Sequence, residues 1–219
     1  MSGLLLKGLL IFRNGWKMYS LLIVFFAVFS FTGNPTYFSS MMVLILMMQP
    51  LSSFSSDELA RWDKYAAALP GGRKGIVKSK YQLLFLVIGA AFVLTCLVDL
   101  LVLLFDRAEG MSGLELVIVS LTCAVTGLLL NLILYPFLFK FGSQKARLIL
   151  GLIFGIVFAG AAMGMVVLSL SGSTVADVIA EMALHVSPAL IAAAAVVLVV
   201  LVLIISYRSS CRIYEKKEF

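Results

Sequence analysis

Residues 18–56 read MYSLLIVFFAVFSFTGNPTYFSSMMVLILMMQPLSSFSS, which is 39 consecutive positions without a charged side chain. One membrane-crossing helix needs about 20 residues, so this stretch is long enough for two crossings. Proline disfavours helix in the residue before it, and the Gly-Asn-Pro sequence at 33–35 therefore predicts a tight turn between them. We expect helices at 17–32 and 36–54.

The rest of the chain is similarly apolar. Hydrophobic residues make up 62% of the 219 positions and the mean hydropathy is +1.10, whereas soluble domains are about 45–50% apolar. Four further apolar runs predict helices at 81–105, 114–139, 148–169 and 187–207. The predicted fold class is all-α: a membrane protein with six transmembrane helices in a single domain, 1–219.

The positive charges fall on one side of this predicted topology. Sixteen of the 17 basic residues are there. They are Lys7, Arg13, Lys17, Arg61, Lys64, Arg73, Lys74, Lys78, Lys80, Lys140, Lys145, Arg147, Arg208, Arg212, Lys216 and Lys217. Because cytoplasmic segments carry the excess of Lys and Arg, we expect both termini, including the tail 208–219, in the cytoplasm. The net charge of +6 is then a topology signal. We predict a multi-pass protein of the inner, cytoplasmic membrane with no nucleic-acid partner.

Residues 1–17 precede the first predicted span. On a helix, Lys7, Arg13, Asn14 and Lys17 share one broad arc and apolar residues take the rest. This pattern is typical of an amphipathic helix lying in the membrane interface. The alternative is an extended, tilted first helix. We expect no removed signal peptide, because no small-residue cleavage site follows the first apolar run.

A polar segment, 55–80, separates the second and third predicted helices and reads SSDELARWDKYAAALPGGRKGIVKSK. Ser55 is followed three residues later by Glu58, which predicts a capping box and the start of a helix. Apolar side chains then recur at helical spacing, at Leu59, Trp62, Ala66 and Leu69. The Pro-Gly-Gly sequence at 70–72 predicts the end of that helix and a reversal.

A short amphipathic helix in this position has two uses. It can lie passively on the membrane surface, with Trp62 and Tyr65 as interfacial anchors. It can instead dock into a groove on a cytosolic partner, with Trp62 and Leu69 as the buried anchors.

The segment resembles the one that follows the second span in ABC-2-type permeases of ABC transporters. The residues that carry this resemblance are Asp57, Glu58, Trp62, Asp63, Tyr65, Leu69, Pro70, Arg73, Ile76, Val77, Lys80 and Tyr81. A second match covers 135–142 and 145–147, and the opening 4–7 is also similar, although Gly8 stands where an acidic residue is frequent. Within the family the chain is most similar to small bacterial exporter subunits of the phenol-soluble modulin and bacitracin type.

The resemblance implies that the segment is a cytoplasmic coupling helix seated on a separate, cytosolic ABC ATPase subunit. The coupling residues that it implies are Asp57, Glu58, Arg61, Trp62, Asp63, Tyr65, Leu69, Pro70 and Arg73. ATP and Mg²⁺ would bind to that subunit, and closure of two ATPases would push the coupling helices. The chain has no G-x-x-x-x-G-K-[ST] phosphate loop. We therefore expect it to be no enzyme by itself and to hold no cofactor or metal.

Four residues inside the predicted spans are candidates for the transport path or for packing: Asp99, Asn131, Tyr135 and Pro136. Asp99 is the one charge within a span, which makes it a functional hypothesis. The alternative is that it reaches the outer interface or pairs with Arg107. For Asn131, Tyr135 and Pro136 we expect structural roles.

The scarcity of polar residues in the spans favours a hydrophobic or amphipathic cargo. We predict export of a peptide of that kind through a path formed with a second permease subunit, identical or different, in contact with membrane lipid. Extrusion of lipids or lipophilic antibiotics remains open, as does a non-transporting anchor for a cytosolic regulator. Proton-driven transport is a further alternative that depends on Asp99 alone.

Overall fold

The computed structural model describes residues 2–32, 36–60, 62, 72–105, 111–170 and 188–216. In these ranges it contains five α-helices and no strand. The helices are α1 (Ser2–Thr32), α2 (Thr36–Leu59), α3 (Gly72–Leu104), α4 (Gly113–Leu170) and α5 (Pro188–Glu215). The prediction of an all-helical protein is confirmed.

Four stretches of the described chain are long and apolar enough to cross a membrane. They are Thr36–Leu59, Lys74–Leu104, Gly113–Ile149 and Ala193–Glu215, and a shorter apolar stretch covers Tyr19–Phe31. The chain is therefore a membrane protein. Six spans with cytoplasmic termini stay a prediction. The predicted turn at 33–35 lies outside the described residues, as do the segments 106–110 and 171–187.

Several helix boundaries differ from the sequence-based expectation. The third helix begins nine residues before the predicted position 81, and the last helix continues eight residues past 207. The first helix is continuous across residue 17, where an interfacial helix and a span were predicted to meet. The second continues past residue 54 to Leu59, so that Ser55 and Glu58 lie inside it. The predicted capping box is wrong, because the S-x-x-E pattern falls on the last turns of a helix. There Ser56 Oγ donates to the Ser52 carbonyl four residues earlier, at 3.0 Å, which is a bond within the helix.

The fourth helix changes direction at Gly142. Its backbone there has φ 78° and ψ 175°, while the residues on both sides are helical. Glycine adopts such positive φ values most readily, because it has no Cβ atom. We call 113–141 the first arm of α4 and 143–170 the second arm. The bend falls between the fourth and fifth helices predicted from the sequence.

An aromatic cluster fills the core where α2 to α5 meet. Its members are Phe54, Tyr81, Tyr135, Phe139 and Tyr214, all buried. Ring centroids are 4.8 Å apart for Phe54 and Phe139, 4.9 Å for Tyr81 and Tyr135, and 5.4 Å for Phe139 and Tyr214. Edge and tilted contacts of this kind stabilise beyond the area that they bury.

Hydroxyl groups join α3, α4 and α5 through this core. Ser206 Oγ donates to the Leu132 carbonyl, which uses its single hydrogen. The Tyr81 hydroxyl must therefore donate to Ser206, at 2.6 Å, and accept from Ser210, at 2.9 Å. In hydrocarbon no water replaces such partners, so each bond holds its helices in register.

Tyr81→Phe removes both bonds of this hydroxyl and leaves the two serines without their partner. We expect it to lower the free energy of unfolding by about 1–2 kcal/mol, the range of interhelical hydrogen bonds in membranes. The measurement is thermal unfolding of the purified chain. Tyr37→Phe is the matched control, because Tyr37 lies on the surface of α2 with 46% of its area exposed. An equal loss in both variants would contradict the assignment.

Candidate functional site

A buried carboxylate cross-links three helices where α2 ends and α3 begins. Asp57, in the last turn of α2, is 7% exposed. Lys7 Nζ of α1 lies 2.6 Å from its Oδ1, and Lys80 Nζ of α3 lies 2.5 Å from its Oδ2. Each oxygen therefore has a cation of its own. We call Lys7, Asp57 and Lys80 the Asp57 junction.

The two lysines have further partners that compensate the unequal charge. The Lys80 side chain is 12% exposed, donates to Ser53 Oγ at 2.7 Å and lies 4.6 Å from the centroid of the Phe54 ring. Lys7 Nζ lies 3.5 Å from the centroid of the Trp62 ring. The faces of aromatic rings attract cations, most strongly for tryptophan. Trp62, which follows α2, is thus attached to α1 through Lys7.

The neighbouring carboxylate, Glu58, attaches α2 to the bend in α4. Its Oε1 accepts from Ser143 N at 2.7 Å, and its Oε2 accepts from Ser143 Oγ at 2.5 Å. The first N–H groups of a helix lack partners within it, and an anion is favourable at that end. Glu58 therefore caps the second arm from outside. A Cβ at Gly142 would lie 2.6 Å from Glu58 Oε1, so this approach requires glycine.

The structure brings together only part of the predicted coupling set. Asp57, Glu58 and Trp62 lie at the end of α2, and Arg73 lies in the first turn of α3. The remaining predicted residues lie outside the described ranges: Arg61, Asp63, Tyr65, Leu69 and Pro70.

The sequence analysis missed Lys7 and Ser143 as partners of these carboxylates. Lys7 counted only as one of many basic residues, and nothing in the sequence around Ser143 marked it. Lys80 belonged to the quoted motif, but its pairing with Asp57 was not foreseen.

Three candidate residues were predicted in the fourth span. Asn131 and Tyr135 are buried in the packed interior, and Pro136 lies within the first arm of α4. Asn131 is fully buried, and its Nδ2 donates to the Gly127 carbonyl at 2.8 Å and to the Leu46 carbonyl of α2 at 3.4 Å. Tyr135 belongs to the aromatic cluster and donates to the Lys80 carbonyl at 3.3 Å. The helix continues through Pro136.

The Asp99 side chain is turned into the bundle. It is 3% exposed and accepts a hydrogen bond from Ser120 Oγ on α4. Ser120 Oγ lies 3.2 Å from Ser39 Oγ on α2. The suggested partner Arg107 lies outside the described residues.

These features define an α-helical membrane protein whose helices are cross-linked by buried charge at one end of the bundle. A protein-family model described as ABC-2 family transporter protein matches residues 3–215. The chain belongs to this family and is a membrane permease of an ABC transporter, a class that works with an ABC ATPase. No curated protein and no solved structure matches the chain. The resemblance to ABC-2 permeases is thus confirmed at the level of the family, and the phenol-soluble modulin and bacitracin subtype stays a prediction.

Asp57→Asn removes the anion between the two lysines. Breaking a buried ion pair leaves uncompensated charge, and we expect the free energy of unfolding to fall by about 2–3 kcal/mol. Lys74→Gln is the control, because the Lys74–Glu215 pair is exposed, with side-chain exposures of 75% and 46%. Its loss should cost less than about 0.5 kcal/mol. Similar effects of both variants on thermal unfolding would show that the junction contributes no more than a surface pair.

Gly142→Ala places a methyl group against Glu58 in a left-handed backbone conformation. The conformation alone costs about 1–2 kcal/mol for a residue with a side chain. We expect a lower unfolding temperature than in Gly75→Ala, since a Cβ at Gly75 meets nothing within 4 Å and alanine favours the α3 helix. Equal stability of the two variants would refute the close approach of Glu58.

Proposed function

We propose that the chain is the transmembrane permease subunit of an ABC exporter that moves a hydrophobic or amphipathic peptide out of the cell. ATP and Mg²⁺ bind to a separate cytosolic ATPase subunit, and the chain contributes no cofactor and no enzymatic group. A second permease subunit completes the path across the cytoplasmic membrane. The family match supports the transporter class, and the geometry of the Asp57 junction supports the way in which force enters the helices.

The position of the Asp57 junction along the chain is the observation that carries the proposal. Asp57 lies near the start of the polar segment 55–80, and Lys80 is its last residue. A displacement of that segment by a cytosolic subunit therefore pulls on both ends of one ion pair. Lys7 passes the same displacement to α1, and Glu58 passes it to the second arm of α4 through Ser143.

Close packing makes this path stiff. The cores of proteins have the density of organic crystals and transmit small displacements instead of absorbing them. The aromatic cluster adjoins the junction, because Lys80 of the junction lies 4.6 Å from the centroid of the Phe54 ring and its carbonyl accepts a hydrogen bond from Tyr135. Because the polar segment is attached to the bundle at the Asp57 junction, a movement of the segment displaces several helices together. A coupling element has to do this.

The apolar character of the helix surfaces supports a lipophilic cargo. Large hydrophobic side chains are exposed along α3 beyond the junction: Val93, Leu94, Leu97, Leu100, Leu101 and Leu104. In a membrane, such a surface faces lipid, a second permease subunit or the cargo itself. Ions and sugars would find few polar groups on it.

Trp62→Ala tests the coupling role. The variant removes the ring that binds Lys7 and that the sequence pattern predicts as an anchor for the ATPase. We expect the ATPase subunit that co-purifies with the chain to lose its stimulation, so that ATP turnover falls to that of the isolated ATPase. Trp62→Phe, which keeps an aromatic face for the lysine, should retain most of the turnover.

The measurement is ATP turnover of the purified complex, with thermal unfolding of the permease recorded beside it to separate coupling from folding. Lys74→Gln is the control for a substitution at an exposed position close to the polar segment, and it should leave ATP turnover unchanged. If Trp62→Ala weakens ATPase binding without changing turnover, the chain is an anchor and not a coupled permease.

A further inference from the structure

A second polar cluster lies at the other end of the bundle from the Asp57 junction. Its members are Ser39 of α2, Thr95 and Asp99 of α3, and Ser120 of α4. Lys80 and Asp99 are 19 positions apart on one helix, which corresponds to about 28 Å at 1.5 Å per residue. The hydrocarbon core of a bilayer is about 30 Å thick. With the junction at the cytoplasmic face, Asp99 lies toward the outer edge of the membrane.

The cluster is buried and its carboxylate is incompletely bonded. All four side chains are exposed by 3% or less. Asp99 Oδ2 accepts from Ser120, whereas Asp99 Oδ1 has no hydrogen-bond partner among the described residues. Two amide oxygens, of Gln49 and Asn131, also lack partners there. A carboxyl group differs from them because its ionised form carries a full charge, which is far more costly to leave buried without a partner.

The hydroxyl hydrogens of the cluster are already used. Ser120 donates to Asp99, so the 3.2 Å contact between Ser39 and Ser120 has Ser39 as its donor. Thr95 Oγ1 donates to the Phe92 carbonyl of its own helix at 2.8 Å. What these groups still offer is oxygen lone pairs and a negative charge. A ligand with hydrogen-bond donors and positive charge fits that set, and an anion does not.

We propose that this cluster binds the ammonium group of a cationic amphiphile, with Asp99 as the counter-ion. An ammonium group carries donors and no acceptor. A narrow cleft beside the cluster is lined by Ser39, Thr95 and Ser120 together with Met42, Phe92 and Cys123. Asp99 lies behind Ser120 and is not part of that lining, so an ammonium group in the cleft interacts with the Asp99 charge across the Ser120 hydroxyl. The ammonium head of such a molecule would contact the hydroxyl groups, and its alkyl chain would contact the apolar side chains.

The charge on the outer side favours the same ligand. In the predicted topology, Asp106, Glu109, Glu115, Asp177 and Glu181 lie there against a single basic residue, Arg107. A cationic group is attracted to this end of the bundle. The inference rests on the proposed function, because it assigns the cargo of the exporter to the class of cationic amphiphiles.

The test is binding of three probes with the same alkyl chain to the permease in lipid nanodiscs, after subtraction of binding to empty nanodiscs. The probes are dodecylammonium, dodecanol and dodecyl sulfate. We expect the wild type to prefer dodecylammonium. Asp99→Asn should weaken dodecylammonium binding about ten-fold or more, the loss of one charge-assisted bond, and leave dodecanol unchanged.

Glu115→Gln is the matched control. It removes one negative charge from the same end of the bundle as Asp99, but at an exposed position on α4. It should weaken dodecylammonium binding far less than Asp99→Asn does, because an exposed charge attracts the ammonium group only through a screened, longer-range interaction, and it should leave dodecanol binding unchanged. Asp99→Glu retains the carboxylate and should retain the preference for dodecylammonium. If Asp99→Asn does not yield folded protein, the comparison of probes in the wild type and in Asp99→Glu decides, and no preference in either overturns the proposal.

Three other results overturn it as well. Dodecylammonium binding that is unaffected by Asp99→Asn removes the counter-ion role. Equal weakening of dodecylammonium and dodecanol assigns Asp99 to packing. Displacement of dodecylammonium by sodium at constant ionic strength identifies a site for an inorganic cation. None of these measurements involves ATP, so they are independent of the Trp62→Ala experiment. The cation site can fail while coupling holds, and coupling can fail while the cation site holds.

Discussion

The Asp57 carboxylate between Lys7 and Lys80 determines how the ends of α1, α2 and α3 meet. Each oxygen is paired with a cation from a different helix. Charges that are largely removed from water are tolerated only when their partners remain in place. The three helix ends therefore cannot separate independently, because any separation exposes at least one uncompensated charge. The aromatic rings of Phe54 and Trp62 reinforce this, since each faces one of the lysines.

The adjacent carboxylate extends the same constraint to the fourth helix. Consecutive residues of an α-helix point about 100° apart, given 3.6 residues per turn. Asp57 and Glu58 therefore face different neighbours from a single turn of α2: Asp57 faces α1 and α3, and Glu58 faces the bend of α4. The positive φ at Gly142 lets the bend come close enough for Glu58 to cap the second arm. Two neighbouring residues thus hold four helices.

The sequence predicted those parts of the fold that depend on length and apolarity. A run of 39 uncharged residues has few alternatives to crossing a membrane. The polar segment between helices also follows from local composition. The sequence predicted a break between separate fourth and fifth helices, where the structure has the bend at Gly142. The pairing of Lys7 with Asp57 could not be predicted, because the two residues are 50 positions apart and nothing local distinguishes Lys7 from the other basic residues. The capping-box prediction failed for a related reason. A serine followed by glutamate fits the start of a helix and the end of one, and only the preceding turn of α2 decides between them.

The candidate site was predictable in outline and not in its internal contacts. The motif around Asp57, Glu58 and Trp62 was predicted to begin a new helix, whereas Asp57 and Glu58 lie in the last turn of α2. Its sequence suggested side chains that face a partner, whereas the structure engages both carboxylates within the chain. Asp99 was recognised as unusual from its charge alone, but its burial against Ser120 depends on how α3 and α4 pack.

Helix α3 connects the two polar regions physically. It carries Lys80 at the junction and Asp99 near the opposite face, within one continuous helix of 33 residues. A helix of this kind moves largely as a rigid body, so a displacement of Lys80 by the coupling segment also displaces Asp99 relative to Ser120 and Ser39 on the neighbouring helices. The hydrogen bond from Ser120 spans that boundary. In the mechanism proposed for the exporter, work done at the cytoplasmic face therefore changes the oxygen set around Asp99 without a separate signal. On the proposed mechanism, a ligand that depends on that set would be bound in one arrangement of α3 and released in another, which is the differential affinity that a transport cycle requires.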